Sequence, residues 1–386
     1  MRIVYCIPHL YNAGGMERVL CQKASWLAEK AGYEVHIVTT EVVPSGMAVC
    51  RFPLSEKVHV EELNIDFDAD FGKPLPVKLV QHLRKQRRYR RLLASYLRQV
   101  KADHCVSLGG KETEWLAGVK TGCRKTVEMH FSLQQRALLI AAYHQGPLWR
   151  LLGRIRVRQL IREVRGVDRL VVLTEADRRA WEAAGCDHVS VIGNPCSISA
   201  PATASHARRQ VAAVGRLHPQ KGFDLLLEAW QQVAAHQPGW TLCIAGEGPE
   251  RDRLEAQVEE AGLQESVSLP GAVDDISKLY AESALLVLSS RYEGYPLVLL
   301  EGMMCGLPCV ATDCPEGPRE IVQPDTGRLV ATGDTKALAE AIEQLISHPQ
   351  LRQAMGAAAQ RYAEEHFAPE PVMRQWTALF ETTTRP

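Results

Sequence analysis

The sequence predicts an α/β protein made of two Rossmann-like, doubly wound parallel-sheet domains facing a cleft, and three observations carry that expectation. The first is length: 386 residues exceed what one ordinary hydrophobic core organises, so two domains of similar size are expected. The second is alternation. Short apolar, often β-branched runs take turns with stretches of helical periodicity, as parallel strands joined by crossover helices require. The third is a restart of the pattern after residues 196–210, a Ser-, Ala- and Pro-containing stretch without periodicity that reads as a linker.

In the first half the expected strands are Ile3–Ile7, Glu34–Thr39, Val58–Leu63, His104–Ser107, Lys125–Glu128 and Arg169–Leu173. In the second they are Val211–Val214, Thr241–Ala245, Ser266–Leu269, Leu285–Leu288 and Pro308–Ala311. Helical stretches at 334–347, 349–366 and 369–382 close the chain. The domains are therefore drawn at 1–195 and 211–368, followed by a terminal segment, 369–386. Open parallel sheets hold ligands beyond the carboxyl ends of their strands, so two such domains would place two ligand sites across one crevice.

Composition narrows the class. Hydrophobic residues make up 46% and charged residues 23%, with 45 basic and 45 acidic side chains, as in a soluble globular protein. The apolar start Ile3–Ile7 is interrupted by Pro8, His9 and Asn12 before it reaches the length of a signal peptide. Ala137–Tyr143, and Leu297–Val310 with Glu301 inside it, fall short of a spanning helix. Eleven cysteines, an odd number without a Cys-x-x-Cys pair, read as reduced thiols of a cytoplasmic protein rather than a disulfide framework or zinc site. No metal, cofactor or nucleic-acid partner is expected.

The balanced net charge hides an asymmetry, because residues 1–200 carry about ten excess positive charges. Arg84, Lys85, Arg87, Arg88, Arg90, Arg91 and Arg98 form one basic run, and Arg150, Arg154, Arg156, Arg158, Arg162 and Arg165 another. Leucines recur at helical spacing in both: Leu83, Leu92, Leu93 and Leu97, then Leu148, Leu151, Leu152, Ile155 and Leu160. Each run can be the solvated face of an ordinary amphipathic helix. Two in one domain favour a basic surface, 84–98 with 148–165, that docks on anionic lipid or an anionic acceptor at the inner face of the membrane.

Three strand-to-helix loops gather chemistry-bearing residues. Gly14 and Gly15 lie at a turn into a helix, where backbone amides can approach an anion, although such a turn is often only a tight connection. The stretch Val214 to Gly222 brings Arg216 and Lys221 to the end of a strand, a pair suited to a diphosphate. Arg291 to Glu301 enters a helix in which Pro296 suits the first position, leaving the amides of Leu297 and Val298 for an anion. Glu301 falls within an apolar helix and needs a partner, either a ligand hydroxyl or a structural cation. Glu293 could accept hydrogen bonds from a polyol or form a salt bridge.

Glu293 and Glu301, with seven residues between them, resemble the paired glutamates of the family four retaining glycosyltransferases of the GT-B fold. Gly14–Gly15, Gly215–Arg216 with Lys221–Gly222, Ala245 to Pro249 and Gly271 are similar to that family's landmarks in its order, and Asp313 to Pro318 resembles its bacterial surface-polysaccharide members. The resemblance implies that Arg216 and Lys221 hold the diphosphate of a nucleotide sugar, with UDP the expected carrier. It assigns Glu301 to the ribose, Glu293 to the transferred sugar, and Gly246, Glu247, Gly271 and Ala272 to the base. Gly294, Tyr295, Pro296, Leu297 and Val298 would line the donor site, and His130 would face the sugar. The match departs from the family at Pro296, where many members have Gly, and at Met129, which separates Glu128 and His130. The tail bearing Trp376, Leu379 and Phe380 resembles the helix that returns to the acceptor-binding first domain.

The implied reaction moves a hexose or N-acetylhexosamine to a glycan or lipid-linked acceptor with retention and without a metal. A sugar-nucleotide epimerase shares the architecture, as would an inactive sugar-nucleotide-binding protein. A dehydrogenase would need the Gly-x-Gly-x-x-Gly fingerprint, which the sequence lacks.

Overall fold

Strands that are apolar at successive rather than alternate positions must be covered on both faces, and this requirement organises both halves of the chain. The structure, a computed structural model, describes residues 1–70, 72, 74–133, 146–198, 208–315 and 317–382. It divides into two units, Met1–Pro195 with Val372–Pro386, and Cys196–Pro371.

The first unit runs β1 (Arg2–Ile7), α1 (Gly15–Glu29), β2 (Glu34–Thr39), β3 (Val58–Glu62), α2 (Leu75–Gln99), β4 (His104–Ser107), β5 (Arg124–Met129), α3 (Pro147–Val164), β6 (Arg169–Val172), α4 (Glu175–Ala183) and β7 (Val189–Val191). Its seven strands lie in the order β3-β2-β1-β4-β5-β6-β7, all parallel. Ile3, Val4, Tyr5 and Cys6 of the central β1 are fully buried. One sheet face is covered by Tyr89, Leu93, Leu97, Val157, Leu160 and Val164 of α2 and α3.

The second unit runs β8 (Gln210–Val214), α5 (Phe223–His236), β9 (Thr241–Ala245), α6 (Arg251–Glu260), β10 (Val267–Gly271), α7 (Ile276–Ala281), β11 (Leu285–Leu288), α8 (Leu297–Met304), β12 (Cys309–Thr312), α9 (Pro318–Ile321), β13 (Gly327–Val330), α10 (Thr335–Ser347) and α11 (Pro349–His366). The order is β10-β9-β8-β11-β12-β13, again all parallel. The last helix, α12 (Pro369–Thr382), buries Val372, Met373, Trp376, Leu379 and Phe380 in the first unit's core beside Leu20, Ala24 and Leu27 of α1.

The strands lie where the apolar runs place them, with two additions. β7 spans three residues around a serine, and β13 opens on Gly327, so neither carries a long apolar run. β10 extends through Pro270 to Gly271 with a register shift. Its place at the sheet edge leaves room for the missing amide. Cys196 and Ile198, the start of the expected linker, pack into the second unit's core, and Cys196 donates its amide to Phe367 O at 2.7 Å. Residues 199–207 of that linker, the run Ala137–Tyr143 and Glu316 lie outside the described residues.

The basic helices depart from the simple amphipathic reading. Leu93, Leu97 and Leu160 are buried, but Leu83, Leu148, Leu151, Leu152 and Ile155 are exposed. On α3 the buried stripe is Gly153, Val157, Leu160 and Val164. At roughly 100° per residue, the exposed apolar stripe falls on the opposite side of the helix.

Close backbone approach holds the second unit's loops. A Cβ on Gly246, whose φ is +147°, would stand 1.9 Å from Gly215 O. Gly246→Ala should therefore lower the melting temperature by roughly 5 °C or more, read by calorimetry; an unchanged value would mean that the Gly215 loop can retreat.

Candidate active site

The crossovers of the second sheet reverse direction between β8 and β11, and loops leaving such a switch point frame ligand sites. The loop after β8 runs from Gly215 through a 3-10 turn at Pro219–Lys221 to Gly222. Gly222 has φ +63°, and a Cβ there would meet Ser289 O at 2.2 Å, so only glycine lets this loop touch the one after β11. Further bonds join the two loops. Ser289 Oγ donates to Lys221 O at 2.9 Å, Arg291 N to Gln220 O at 2.8 Å, and Gln220 Nε2 to Tyr292 O at 3.0 Å. Arg291 also grips the Asp224 carboxylate with two bonds of 2.8 Å. Its guanidinium holds Asp224 below the usual carboxylate range.

This stitching brings two of the expected site residues into one ion pair. The Lys221 stem crosses Gly215, and its Nζ donates to Glu293 Oε1 at 2.7 Å. Glu293 also accepts from Ser290 Oγ at 2.5 Å. An ammonium has three donors, so Glu293 leaves two for an incoming oxyanion. Arg216 is exposed and makes no ion pair among the described residues. The site thus holds one cation neutralised by a carboxylate and one uncommitted.

At the ends of β9 and β10, Gly246, Glu247, Gly271 and Ala272 also come together. Gly246 N donates to Gly271 O at 2.8 Å, and a Cβ on Gly271, at φ +86°, would lie 2.4 Å from Glu247 Oε1. The Arg251 guanidinium and the Ala272 amide hold Glu247 below its ordinary value.

Pro296 is a correction. It stands in extended geometry just before α8 rather than at the first helical position, and the helix begins at Leu297. The amides of Leu297 and Val298 still lead the helix, where no intrahelical acceptor precedes them. Gly294 and Pro296 pack against Gly317, which has φ +95° and where a Cβ would lie 2.5 Å from Gly294 O. The ring of Tyr295 turns into the core, edge-on to Phe367, and burial raises its pKa. Glu301 is buried, and Tyr280 Oη donates to its Oε2 at 2.9 Å.

In the first unit, Gly14 precedes α1 and Gly15 opens it, as the turn predicts. Its helix start already has an acid. The Glu17 carboxylate folds back over Gly14, where a Cβ would meet it at 2.1 Å, and lies 3.2 Å from His9 Nδ1. The hydrogen bond to Glu17 raises the pKa of His9. An anion approaching this turn has to displace Glu17. His130 follows β5, is buried, and has Nε2 3.2 Å from Glu128 Oε1. Glu128 in turn receives both its hydrogen bonds from Lys23 Nζ at 2.6 Å.

Sequence reasoning missed Lys23, Glu17, Ser290 and Tyr280. For Lys23 a signal exists: it interrupts the buried stripe Leu20, Ala24 and Leu27 of α1. A charge in an apolar stripe needs a buried partner.

Residues 198–362 match the family model described as Glycosyl transferases group 1. An uncharacterized glycosyltransferase of Haemophilus influenzae is 27% identical over 98% of this chain and 99% of its own length. The amylovoran biosynthesis glycosyltransferase AmsD of Erwinia amylovora is 34% identical over 55% of this chain, and the match spans 62% of that protein. Among solved structures, Staphylococcus aureus TarM in complex with fondaparinux, alpha-GlcNAc-glycerol and UDP superposes with a TM-score of 0.78, at 16% identity over 98% of this chain and 99% of that one. At that identity the likeness speaks for the fold, two parallel α/β sheets of GT-B type.

The buried charges set an acid limit on stability. Burial alone would push Glu128 up, but the Lys23 ammonium and the His130 ring outweigh it and hold the carboxyl at about 2. Because the folded value lies below that of an unfolded glutamate, about 4.3, this stabilisation is complete above that pH and is lost as pH falls toward 2. Denaturant unfolding of the parent should fall more steeply between about pH 4.5 and 2 than that of Lys23→Met/Glu128→Gln. Equal slopes would show that Glu128 carries no charge in the folded state.

Proposed function

We propose that the chain, whose residues 198–362 match the glycosyl transferases group 1 model, is a glycosyltransferase that moves a hexosyl or N-acetylhexosaminyl group, with retention of the α configuration, from a uridine diphosphate sugar to a glycan or lipid-linked acceptor of bacterial surface polysaccharide or lipopolysaccharide. One observation carries the reading: at the switch point of the second sheet, Lys221 and Glu293 form an ion pair, while Arg216 is exposed and makes no ion pair among the described residues. UDP in the TarM complex and the amylovoran role in the name of AmsD support the donor type and the pathway class.

In this reading the diphosphate lies on Arg216 and on the two spare donors of Lys221. The amides of Leu297 and Val298 add their dipoles at the start of α8. As the glycosidic bond breaks, negative charge grows on the leaving phosphate, and fixed cations and amides already aimed at it lower the barrier without reorganising. They do so without a metal. Glu293, held by Lys221 and Ser290, accepts from hydroxyls of the transferred sugar. Glu301, oriented by Tyr280, takes the ribose, and Gly246, Glu247, Gly271 and Ala272 receive the base. Gly294, Tyr295 and Pro296 shape the loop between them. The reaction runs on one face, with the departing phosphate oxygen drawing the proton from the acceptor hydroxyl. For the first unit the same reading assigns His130 to the transferred sugar and the turn Gly14–Gly15 to the donor, once Glu17 has swung away.

A lipid-linked acceptor fits the surface of the first unit. On α3, Leu148, Leu151, Leu152 and Ile155 are 37 to 71% exposed among five arginines. On α2, Val77, Leu79, Val80 and Leu83 are exposed beside Arg84, Arg87 and Arg88. Apolar stripes rimmed by arginine suit the headgroup boundary of an anionic bilayer. No described helix is long and apolar enough to cross a membrane. On the strength of these arginine-rimmed stripes, the reading puts the enzyme at the inner face of the cell membrane as a peripheral protein.

A thermal-shift screen of nucleotide sugars, followed by transfer assays with the best ligand, tests the reading. The expected result is stabilisation by a UDP-sugar and transfer that survives chelation; isomerisation of the donor alone would instead mark an epimerase. Lys221→Ala should cut turnover by about 10²- to 10³-fold, and wild-type turnover would remove Lys221 from the site. Anionic vesicles should bind the protein at low salt and release it as salt rises; indifference to such vesicles points to a soluble acceptor.

A further inference from the structure

Lys23 is buried at 1% side-chain exposure in the first unit, where an ammonium is costly unless it is paired. It is caged. Both Glu128 oxygens lie 2.6 Å from Nζ, the Trp376 ring lies 3.7 Å away on another side, and the Tyr5 ring 5.6 Å. Aromatic faces attract a desolvated cation and shut out water. Stability alone does not account for the pair, since apolar residues of similar volume usually serve a core as well.

What the pair reaches is His130. Glu128 lies on β5 and His130 two residues further on, so strand alternation turns both side chains to one side. Oε1 of Glu128 is 3.2 Å from Nε2 of His130, with side chains 1% and 5% exposed. Nε2 makes no aligned hydrogen bond, so the contact is chiefly electrostatic. A carboxylate facing Nε2 suits the tautomer that carries its N–H there, which leaves Nδ1 as the ring's acceptor.

We propose that Lys23 and Glu128 are positioning residues for His130: the ammonium fixes the carboxylate, and the carboxylate fixes the ring and its proton. Trp376 seals the ammonium from water. The inference rests on the reading that His130 acts on the transferred sugar, and it adds a chain of contacts from α12 to that ring.

The test uses the full chain with the UDP-sugar that the screen selects. Lys23→Met alone leaves a bare buried carboxylate and can unfold the protein, so the informative variant is Lys23→Met/Glu128→Gln, which removes both charges at similar volume. It should melt within a few degrees of the parent and keep the donor KM within about twofold, while kcat falls about 10- to 100-fold. Adding His130→Ala to that variant should cost little more, whereas in the parent it should cost as much as the pair does. An unchanged kcat, or the same loss from His130→Ala in both backgrounds, overturns the proposal.

A second readout needs no sugar transfer. The ¹⁵N signals of His130, assigned by their loss in His130→Ala, should show one tautomer with the proton on Nε2 in the parent and tautomer averaging in the variant. Identical signals sink the positioning role. A change in the signals, in a protein that transfers no sugar, upholds the positioning and sinks the glycosyl-transfer reading instead.

Discussion

The second unit depends on backbone approaching backbone. Gly222 against Ser289 and Gly246 against Gly215 leave no space for a Cβ, so the loops after β8, β9 and β11 are drawn into contact at the switch point of the sheet. Side chains from distant parts of the sequence then meet without search. Lys221 and Glu293 stand 72 positions apart in the chain, yet each emerges from a loop whose path its neighbour fixes. Preorganisation of this kind is what electrostatic catalysis requires, because donors that must first be gathered lose to reorganisation what they gain in attraction.

The two units treat charge differently. In the second, the Lys221–Glu293 pair remains partly accessible, and the ammonium keeps donors that the carboxylate does not use. In the first, Lys23 and Glu128 are sealed, and Oε1 of the carboxylate, which accepts from Lys23, also faces the His130 ring. Burial lowers the pKa of Lys23, while the paired ammonium holds Glu128 down. A charge that cannot leave can orient but cannot bind. The partly open pair suits recognition and the sealed one suits support.

Much of the architecture was legible because a two-sided strand writes itself as a short run built on apolar and β-branched residues: Glu34–Thr39, His104–Ser107, Thr241–Ala245 and Leu285–Leu288 match the structure residue for residue. Where the run is short or opens on glycine, as in β7 and β13, the signal vanishes although the ladder forms. Loops with paired cations and acids were visible as candidates, since their residue types and strand-end positions are local facts. Partner choice was not. Whether Glu301 meets a cation or a hydroxyl depends on Tyr280, 21 residues away on another helix, and no spacing rule connects them. Lys23 and Glu128, 105 apart, pose the same problem at longer range.

Helix sidedness shows the limit most clearly. A hydrophobic period reports that a helix has an apolar stripe, not what covers it. On α3 two stripes interleave: Gly153, Val157, Leu160 and Val164 pack inward, while Leu148, Leu151, Leu152 and Ile155 face outward between arginines. Summed around the wheel, the two nearly cancel, so the helix reads as weakly amphipathic although each side is strongly committed. Water leaves such an outer stripe uncompensated, whereas a bilayer rewards both its components: acyl chains take the leucines and anionic headgroups the guanidinium groups. In this geometry the arginines rim an exposed apolar stripe, the arrangement on which the proposed bilayer contact rests. On that proposed reading, electrostatic attraction scales with anionic lipid content and insertion with exposed apolar area, so the two contributions separate under salt.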